Sequence, residues 1–424
     1  MRYVVIGNSA AGVSAARAIR AADPDGSISI IGEEPYPYYG RVLTSYYLGG
    51  RVNREALFLA EEDWYRRERV EAYLGVKAWG LDVDRREVLL EDGRWLPYDR
   101  LLVATGARPQ MIDVPGKDLP GVFPLRTLDH AQAIRALIRP GDPAVVVGGG
   151  LVGVKAAEGL LGAGAKVTMV VSSPQVLSQI LDAEGAEMAQ AALEREGVQV
   201  LLGDDVVAIE GTGRAERVIL RSGKALAAKV VVVGKGVQPN RDILLATEAI
   251  GRRGIAVNQF LETAVPAVYA AGDVAETWDR AWQASRVNAL WGNAVEQGRI
   301  AGANMAGASL SYPGSLAMNS LVLGDLGIIT GGMVRPPQPD QSQPELPYRV
   351  LSRKDSRRQL YRKVVLRGNQ LVGVAAVGPR GESPAGVGTL LKYIGKELGS
   401  PLLEAFLLGR LSIAQWLRLP AWAD

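Results

Sequence analysis

The sequence predicts an α/β protein with two Rossmann-like units and a C-terminal α+β domain. Two stretches, beginning at Arg2 and Ala144, each combine an apolar β-branched run, a glycine-containing turn and an Ala-rich segment, which predict strand, turn and helix. From about Met318 the pattern changes to consecutive short strands. A chain of 424 residues is long enough for two or three domains. The predicted boundaries place residues 1–112 and 250–318 in the first unit, 113–249 in the second, and 319–424 in a C-terminal interface domain.

The first turn lies between a predicted strand, Arg2–Ile6, and a helix-like segment, Val13–Ala22. It has the spacing of G-x-G-x-x-G, with Ser9 in place of the middle glycine. Such a turn brings backbone N–H groups and a helix N-terminus to one point, which favours a pyrophosphate, although α/β proteins without a nucleotide also contain small-residue turns. The residues predicted to line this point are Gly7, Ser9, Ala10, Ala11 and Gly12.

Two acidic residues follow the next predicted strand, Ser27–Ile31. Glu33 and Glu34 stand a little over twenty residues beyond Gly12, where a dinucleotide-binding βαβ unit places the carboxylate that binds a ribose. We favour Glu34 of the two for this role. The alternative is that both are solvated charges of a turn.

The second turn carries a complete G-x-G-x-x-G motif between a strand and an Ala-rich helix. One glycine loop is weak evidence, but two in one chain form an internal repeat, and the usual reason for two is two dinucleotides. The residues predicted to form the second site are Gly148, Gly150, Leu151, Val152 and Gly153.

Two further strands end in small residues. One ends in Ala104, Thr105 and Gly106, where the backbone can approach a ligand closely. The other ends in Gly272 and Asp273 at a predicted helix start. A carboxylate in that place can accept hydrogen bonds from ribityl hydroxyls, while the helix N-terminus faces a phosphate.

Composition excludes several classes of function. The net charge of +3, with no basic run interleaved with aromatics, argues against nucleic-acid binding. No apolar run is long enough to span a bilayer and no signal peptide precedes the first strand, so we expect a cytoplasmic protein. The absence of cysteine removes disulfides, thiolate catalysis and Cys-ligated metal sites. The single histidine, His130, is expected to be a solvated helix-start residue, so no metal site is predicted and redox chemistry must belong to a bound cofactor.

These motifs stand in the order found in flavoproteins that bind two dinucleotides. Over about residues 1–395 the chain resembles the pyridine-nucleotide-disulfide oxidoreductase superfamily. It is most similar to the branch without a redox disulfide, which contains rubredoxin and ferredoxin reductases and the flavin module of NAD(P)H-dependent nitrite reductase. The resemblance implies FAD along the first unit and NAD(P)H, as a substrate, held by the second.

The resemblance also implies roles for individual residues. The first loop faces the FAD pyrophosphate, Glu34 or Glu33 the adenosine ribose, and Asp273 the ribityl chain. Arg41 reaches a phosphate and the backbone of Ala78 pairs with the adenine. The other positions implied as cofactor contacts, besides those of the two loops and the Ala-Thr-Gly turn, are Ser45, Gly236 and Trp291.

Three departures from the family pattern carry information. No cysteine stands near Ser45, so thiol mechanisms are excluded. The lysine that relatives often place near flavin N5 falls on Tyr46, and its glutamate partner falls on Lys155. We therefore predict Lys155 and Tyr46 as the catalytic pair, with Lys155 supplying positive charge to the flavin; the alternative is an exposed first-turn lysine. In the family, an acidic residue at the end of the second strand of the second unit marks the use of NAD by binding its ribose. That position is Val171 here, so the sequence does not decide between NADH and NADPH.

The expected activity is hydride exchange between nicotinamide and flavin, followed by electron transfer to an iron–sulfur or rubredoxin-type protein. A peroxide-forming NAD(P)H oxidase and a flavin-bearing, non-catalytic subunit of a redox complex are the alternatives.

Two features of the C-terminal domain bear on partners. A basic cluster is either a docking face for an acidic protein or the solvated face of a strand pair. An apolar tail over Pro401–Trp422 is predicted to pack on its own domain or on a partner, which allows a homodimer or a complex. The members of the basic cluster are Arg349, Arg353, Lys354, Arg357, Arg358, Arg362, Lys363 and Arg367.

Overall fold

The computed structural model describes residues 1–59, 63–337, 348–381, 387–398 and 400–408. Most of the predicted apolar tail, including Leu411, Ile413 and Trp416, lies outside these residues. Within the described part of the chain, no helix combines the length and the apolar character that crossing a membrane requires.

The first unit is an α/β layer built on a five-stranded sheet. Its first three helices are α1 (Ala10–Ala22), α2 (Thr44–Leu48) and α3 (Trp64–Arg67), with 3₁₀ turns at Arg41–Leu43 and Glu55–Leu57. Its strands up to the connection with the second unit are β1 (Arg2–Ile6), β2 (Ser27–Gly32), β3 (Val70–Leu74), β4 (Ala78–Asp82), β5 (Glu87–Leu90), β6 (Trp95–Pro97), β7 (Arg100–Val103) and β8 (Ala107–Pro109).

The second unit repeats this plan. Its helices are α4 (Leu128–Leu137), α5 (Leu151–Gly162) and α6 (Ala183–Arg195), and a 3₁₀ turn follows at Asp242–Leu244. Its strands are β9 (Val122–Pro124), β10 (Pro143–Val147), β11 (Lys166–Val171), β12 (Gln199–Leu202), β13 (Val206–Glu210), β14 (Arg217–Leu220), β15 (Ala225–Ala227), β16 (Val230–Val233) and β17 (Val237–Pro239).

The chain then returns to the first unit and continues into an antiparallel domain. The returning segment contains β18 (Ile255–Ala256), β19 (Val268–Ala270), β20 (Ala275–Asp279), β21 (Ala284–Arg286) and α7 (Trp291–Met305). The last domain contains β22 (Met318–Leu323), β23 (Leu326–Gly332), β24 (Tyr348–Asp355), β25 (Leu360–Arg367), β26 (Gln370–Pro379), α8 (Val387–Leu391) and α9 (Ser400–Leu407).

The two parallel sheets have equivalent topologies in four of their five strands, which confirms the predicted internal repeat. The fifth strand comes late in the first unit (β19) and early in the second (β9). The first has the order β19-β7-β1-β2-β3 and the second β12-β11-β10-β16-β9, with every neighbouring pair parallel. In both, the strand before the glycine loop is central, and strand order reverses beside it. In open parallel sheets a ligand binds at this switch point, at the carboxyl ends of the strands. The α/β fold class with two Rossmann-like units is therefore confirmed.

The C-terminal domain is a five-stranded antiparallel sheet of order β22-β23-β26-β25-β24, with α8 packed on β23 and β26 and α9 on β25. Buried Val and Leu side chains of β25 and β26 form its core together with Val387, Leu390 and Phe406. This agrees with the predicted α+β character. The residue boundaries assigned to the three domains stay a prediction.

One segment differs from its predicted structure. The polar stretch Arg54–Val70 is predicted to be helical, but its described part contains only the 3₁₀ turn and the one-turn helix α3. Its apolar side chains face two different cores: Leu57 packs with Tyr39, whereas Trp64 packs beneath the first sheet. A single straight helix cannot satisfy both contacts.

Candidate functional site

The first glycine loop is closed by backbone packing. Gly7 has a φ of +129°, and a Cβ on it would lie 2.0 Å from the carbonyl oxygen of Ala104. A Cβ on Gly12 would lie 1.8 Å from the carbonyl oxygen of Gly7. Both glycines are therefore required by the loop itself, which brings the carboxyl ends of β1 and β7 together.

The helix α1 begins at this loop without a side-chain cap. Ser9 occupies the N-cap position with an extended backbone, yet its hydroxyl makes no capping hydrogen bond. Ala10 and Ala11, which follow it, are buried. The first backbone N–H groups of α1 are therefore not satisfied by a cap and point to the position where a pyrophosphate would bind.

Helix α7 packs against α1 through glycines. A Cβ on Gly298 would lie 2.1 Å from the carbonyl oxygen of Ala11, and one on Gly302 would lie 2.3 Å from that of Ala15. At the other end of this contact, Gly272 has a φ of +83°, and its N–H donates to Oε1 of Gln297 at 2.8 Å. The helix predicted to start at Gly272 and Asp273 is wrong, because the turn there leads into β20 instead. The first site is thus enclosed by the starts of α1 and α7 and by the Gly272 turn.

The second glycine loop has the same backbone geometry in a more open setting. Gly148 has a φ of +114°, and a Cβ on Gly153 would lie 1.9 Å from the carbonyl oxygen of Gly148. A Cβ on Gly150 would meet nothing within 4 Å, and the side chain of Val152 is 37% exposed. Leu151, the first residue of α5, is partly buried. This open space could hold a dinucleotide that binds reversibly.

The structure separates the two candidate ribose carboxylates. The side chain of Glu33 is 72% exposed, and its nearest cation is Lys77 at 3.8 Å. Glu34 is largely buried; it accepts a hydrogen bond from the Tyr39 hydroxyl at 2.6 Å and forms an ion pair with Arg41. Burial raises the pKa of Tyr39, which keeps that hydroxyl a donor. The ribose role of Glu34 and the phosphate role of Arg41 stay predictions.

The Ala-Thr-Gly turn is tied to the end of the second unit. The hydroxyl of Thr105 donates to the carbonyl of Asn240 at 2.7 Å, and the Asn240 N–H donates to the carbonyl of Gly106 at 2.9 Å. Gly236, with a φ of +99°, accepts from the N–H of Gln110. These bonds hold the first site and the exit of the second unit together. Of the other predicted contacts, Ala104 is buried and Ala78 opens β4.

Sequence reasoning missed Arg126. Its Nη2 donates to Oδ2 of Asp273 at 2.9 Å, and a Cβ on Gly106 would lie 3.6 Å from the same nitrogen. Arg126 thus lies between two residues predicted to contact FAD. The two partners are 147 positions apart, and no motif in the sequence signals the pairing.

The predicted catalytic pair is brought together where the two units meet. The Nζ of Lys155 lies 3.5 Å from the Tyr46 hydroxyl and 5.1 Å from the centre of its ring, and it donates to Glu158 at 2.7 Å. Arg51 extends this group, with Nη1 3.9 Å from Glu158. The Lys155 side chain is 23% exposed and paired with Glu158; its role at the flavin stays a prediction.

Close backbone packing fixes this contact between α2 and α5. A Cβ on Gly159 would lie 2.8 Å from the carbonyl oxygen of Ser45, and one on Gly162 would lie 2.7 Å from that of Gly49. On the other side of the first site, the rings of Trp291 and Tyr38 stack at 5.9 Å with an angle of 14°. Burial raises the pKa of Tyr38 to about 12, so its hydroxyl remains protonated.

His130 has a role that differs from the predicted solvated one. Its Nδ1 accepts from the N–H of Thr127, and its own N–H donates to the Thr127 hydroxyl, both at 3.2 Å, which forms a capping box at the start of α4. Burial lowers the pKa of the imidazole, which favours the neutral form that this acceptor role needs. The described ranges contain no cluster of three or more His, Asp or Glu side chains that could hold a metal ion.

The basic cluster turns partly inward, so both interpretations of it are wrong for two of its members, Arg362 and Lys363. Arg362 and Lys363 are 3% and 5% exposed. Lys363 and Tyr361 each donate to Oδ2 of Asp182 at 2.6 Å. Asp182 caps α6 by accepting from the N–H of Gly185, so these bonds connect the C-terminal sheet to the second unit. Although burial alone would raise the pKa of Asp182, the bonds from Lys363 and Tyr361 bring it below its usual value.

Comparison with known proteins places these features in a family. The family model described as pyridine nucleotide-disulphide oxidoreductase matches residues 1–298. The assimilatory nitrate reductase electron transfer subunit of Bacillus subtilis (strain 168) is 30% identical over 418 residues, which are 95% of this chain and 52% of that protein. The chain thus spans about half the length of that relative.

Two shorter relatives match over most of their own length. The ferredoxin–NAD(+) reductase component of the biphenyl dioxygenase system of Paraburkholderia xenovorans (strain LB400) is 34% identical over 309 residues, covering 73% of this chain and 74% of that protein. The crystal structure of the covalent putidaredoxin reductase–putidaredoxin complex matches with a TM-score of 0.84 and 25% identity, covering 97% of this chain and 99% of that chain.

Proposed function

The chain belongs to the pyridine nucleotide-disulphide oxidoreductase family, and from this we propose that it is an FAD-dependent NAD(P)H oxidoreductase that passes electrons to an iron–sulfur or rubredoxin-type protein. The absence of cysteine requires that it does so without a redox disulfide. When bound, FAD supplies the redox chemistry by accepting a hydride from NAD(P)H and releasing electrons singly. The observation that carries the proposal is the pair of uncapped helix starts, each behind a glycine loop, at equivalent switch points.

The residues of the first unit fit FAD. The uncapped start of α1 and the absent Cβ atoms of Gly7 and Gly12 leave a cradle of backbone N–H groups for a pyrophosphate. Asp273, held by Arg126, would bind the ribityl hydroxyls, and Glu34 the adenosine ribose. The enclosure of this site by α7 supports a resident cofactor rather than an exchanging one.

A substitution at Ser9 tests this assignment. Ser9→Leu would place a bulky side chain at the predicted closest approach to the pyrophosphate, so the purified variant should contain no flavin. The control is Ser9→Ala, which removes a hydroxyl that makes no capping bond and should leave the flavin content unchanged. Normal flavin stoichiometry in Ser9→Leu would show that FAD binds elsewhere.

Lys155 and Tyr46 would act at the junction between the two cofactor sites. The proposed role of Lys155 is electrostatic: a cation near the flavin favours the extra negative charge that reduction brings. We expect Lys155→Ala to slow anaerobic flavin reduction by about 10- to 100-fold, corresponding to about 1–3 kcal/mol of barrier. Tyr46→Phe keeps the ring and removes only the hydroxyl, so it should have a much smaller effect. An unchanged reduction rate in Lys155→Ala would remove the proposed role.

Exposed arginines of the C-terminal sheet offer a surface for the acceptor. Arg349 and Arg353 lie on β24 and Arg357 on the turn after it, and all three are exposed. An acidic iron–sulfur protein would be attracted there, and its rate of reduction should fall as ionic strength rises. A rate independent of salt would exclude docking at this surface.

The activity is tested with the flavin-loaded protein under anaerobic conditions. NADH or NADPH should bleach the flavin spectrum, and an added ferredoxin or rubredoxin should restore it quickly while air restores it slowly. Fast reoxidation by air with peroxide formation would establish an oxidase instead. Absence of bleaching with either nucleotide would establish a non-catalytic flavin subunit and refute the proposal.

We also propose that the protein works in the cytoplasm, since its proposed reductants are intracellular nucleotides. Fractionation of the source cells with an antibody against the chain tests this, and recovery with the membrane or extracellular fraction would contradict it.

A further inference from the structure

The end of β11 is the place where a βαβ unit distinguishes the two nicotinamide dinucleotides. A carboxylate there binds a ribose 2′-hydroxyl, and a cation there accommodates a 2′-phosphate. In this chain the place is held by Val171, which is 3% exposed and packs on the glycine loop: a Cβ on Gly149 would lie 2.8 Å from both of its methyl groups. The next residue, Ser172, is exposed. This end of the strand therefore offers the hydroxyl of Ser172 and no carboxylate of its own.

A lysine that follows β16, the strand on the far side of β10 from β11, reaches this point. Lys235 follows β16, and its Nζ lies 3.2 Å from Oγ of Ser172. Its backbone is fixed against the glycine loop, because a Cβ on Gly148 would lie 2.5 Å from the carbonyl oxygen of Gly234. The side chain of Lys235 is 21% exposed, so a ligand at the strand end can contact its ammonium group.

The charged groups around Lys235 hold its ammonium group in place and leave it able to donate a hydrogen bond to a ligand. Asp205 accepts from Nζ at 2.9 Å, and Arg221 lies 3.9 Å from the same carboxylate. One ammonium group has three donors, of which Ser172 and Asp205 engage two. The Asp205 carboxylate is thus shared between two cations, which leaves it a poor acceptor for a 2′-hydroxyl.

We propose that Lys235 makes NADPH, rather than NADH, the preferred dinucleotide of the second site, with the Ser172 hydroxyl as the second donor to the 2′-phosphate. The inference rests on the proposed function, because it assigns the nucleotide of that same site. Lys235 is a specificity residue for the adenosine end and takes no part in hydride transfer.

Equilibrium binding to the flavin-loaded protein tests the proposal without turnover. Calorimetric titration would compare NADPH with NADH, and adenosine 2′,5′-bisphosphate with AMP, which differ at the 2′ position in the same way. We expect wild type to bind NADPH at least about tenfold more tightly, since a charge-assisted contact is made to the phosphate alone. Lys235→Met should weaken NADPH binding by about tenfold and change NADH binding by less than about twofold.

Two further variants make the test specific. Lys166→Met removes an exposed lysine at the opposite end of β11 and should leave both affinities unchanged. Ser172→Asp adds the missing carboxylate, so it should weaken NADPH and strengthen NADH even if Lys235→Met fails to fold. Equal affinities in wild type, or equal losses of both nucleotides in Lys235→Met, would overturn the assignment. Failure of both nucleotides to bind wild type would instead refute the proposed function.

Discussion

The longer helices of this protein begin in two different ways. Among the described helices of ten or more residues, α1, α5 and α7 have no side-chain cap, and all three begin at the proposed dinucleotide sites. The helices α4 and α6 begin elsewhere and are capped by Thr127 and Asp182. A helix start leaves N–H groups without intrahelical partners, which need either a cap or a ligand. The difference supports the proposal that the uncapped starts of α1 and α5 bind phosphate groups, whereas the starts of α4 and α6 are satisfied within the protein itself.

The largest expected effect separates the two uncapped loops from each other. Gly12→Ala would drive a Cβ into the carbonyl of Gly7, so we expect a loss of at least about 3 kcal/mol of unfolding free energy together with loss of flavin. Gly150→Ala adds a Cβ in open space at a φ of −79°, so the stability should change little while nicotinamide dinucleotides bind more weakly. Urea unfolding, flavin content and nucleotide titration measure these outcomes.

Two outcomes for the Gly12→Ala and Gly150→Ala variants would contradict this comparison of the loops. Loss of flavin in Gly150→Ala, with retention in Gly12→Ala, would mean that the roles of the two loops are exchanged. Equal stability of both variants would mean that the first loop is less tightly packed than its geometry indicates.

A smaller effect is expected at a capped start. Asp182→Asn can still cap α6, but it leaves Lys363, whose side chain is 6% exposed, without an opposing charge. We expect the free energy of unfolding, measured with urea at neutral pH, to fall by about 2–3 kcal/mol. Because the pKa of Asp182 is lowered, its contribution is present above the ordinary value of 3.8 and is lost as the pH falls through the folded value.

Glu187 is the control for this prediction, since it joins the same helix to the same sheet. It pairs with Lys354 at 2.8 Å on the surface, where its side chain is 71% exposed. Glu187→Gln should therefore leave the unfolding midpoint unchanged. If Asp182→Asn also leaves the unfolding midpoint unchanged, the buried pair does not hold the C-terminal sheet to the second unit.

A third prediction compares two cap positions of opposite kind. Thr127→Ala removes a hydroxyl that accepts from the N–H of His130, so it should cost about 1 kcal/mol of unfolding free energy. Ser9→Ala, measured on protein stripped of flavin, removes a hydroxyl that caps nothing and should cost less than about 0.5 kcal/mol. Equal costs would show that Ser9 caps α1 in solution.

The smallest expected effect depends on pH. The lowered pKa of His130 means that the folded protein binds fewer protons than the unfolded chain below pH 6.5. Its stabilising contribution is thus complete above pH 6.5 and is lost as the pH falls through the folded pKa. His130→Gln retains a cap acceptor that does not titrate, so it should match wild type at pH 7.5 and decline less towards pH 5. The difference should be smaller than the loss of the Thr127 cap, and parallel pH curves would contradict it.

The sequence predicted the parts of this protein that depend on local backbone geometry. Gly7, Gly12, Gly148 and Gly153 were recognisable because their spacing follows from a strand, a tight turn and a helix in succession. The repeated strand order followed from the same pattern, since connections between parallel strands have few possible arrangements. The Ala-Thr-Gly turn was found for the same reason.

Contacts between distant segments could not be predicted in this way. The pairing of Arg126 with Asp273 and the approach of Lys235 to Ser172 depend on how loops of different strands meet. The prediction for the basic cluster was wrong at its buried members for a related reason. The positions of charged residues along a strand do not show which side chains another domain will cover. Arg362 donates to the carbonyl of Phe406, a partner that no spacing rule indicates.

The ribbon formed by β8 and β17 has a consequence for the origin of the two-unit chain. These strands are the entry to and the exit from the second unit, and they pair in an antiparallel register, with Val237 opposite Pro109 and Pro239 opposite Ala107. A segment whose two ends lie side by side can be inserted into a host domain without separating the host's own strands. The second unit therefore has the geometry of an inserted segment. Replacing the chain between β8 and β17 with the equivalent part of a homologue should exchange the proposed nucleotide preference while leaving the first unit continuous.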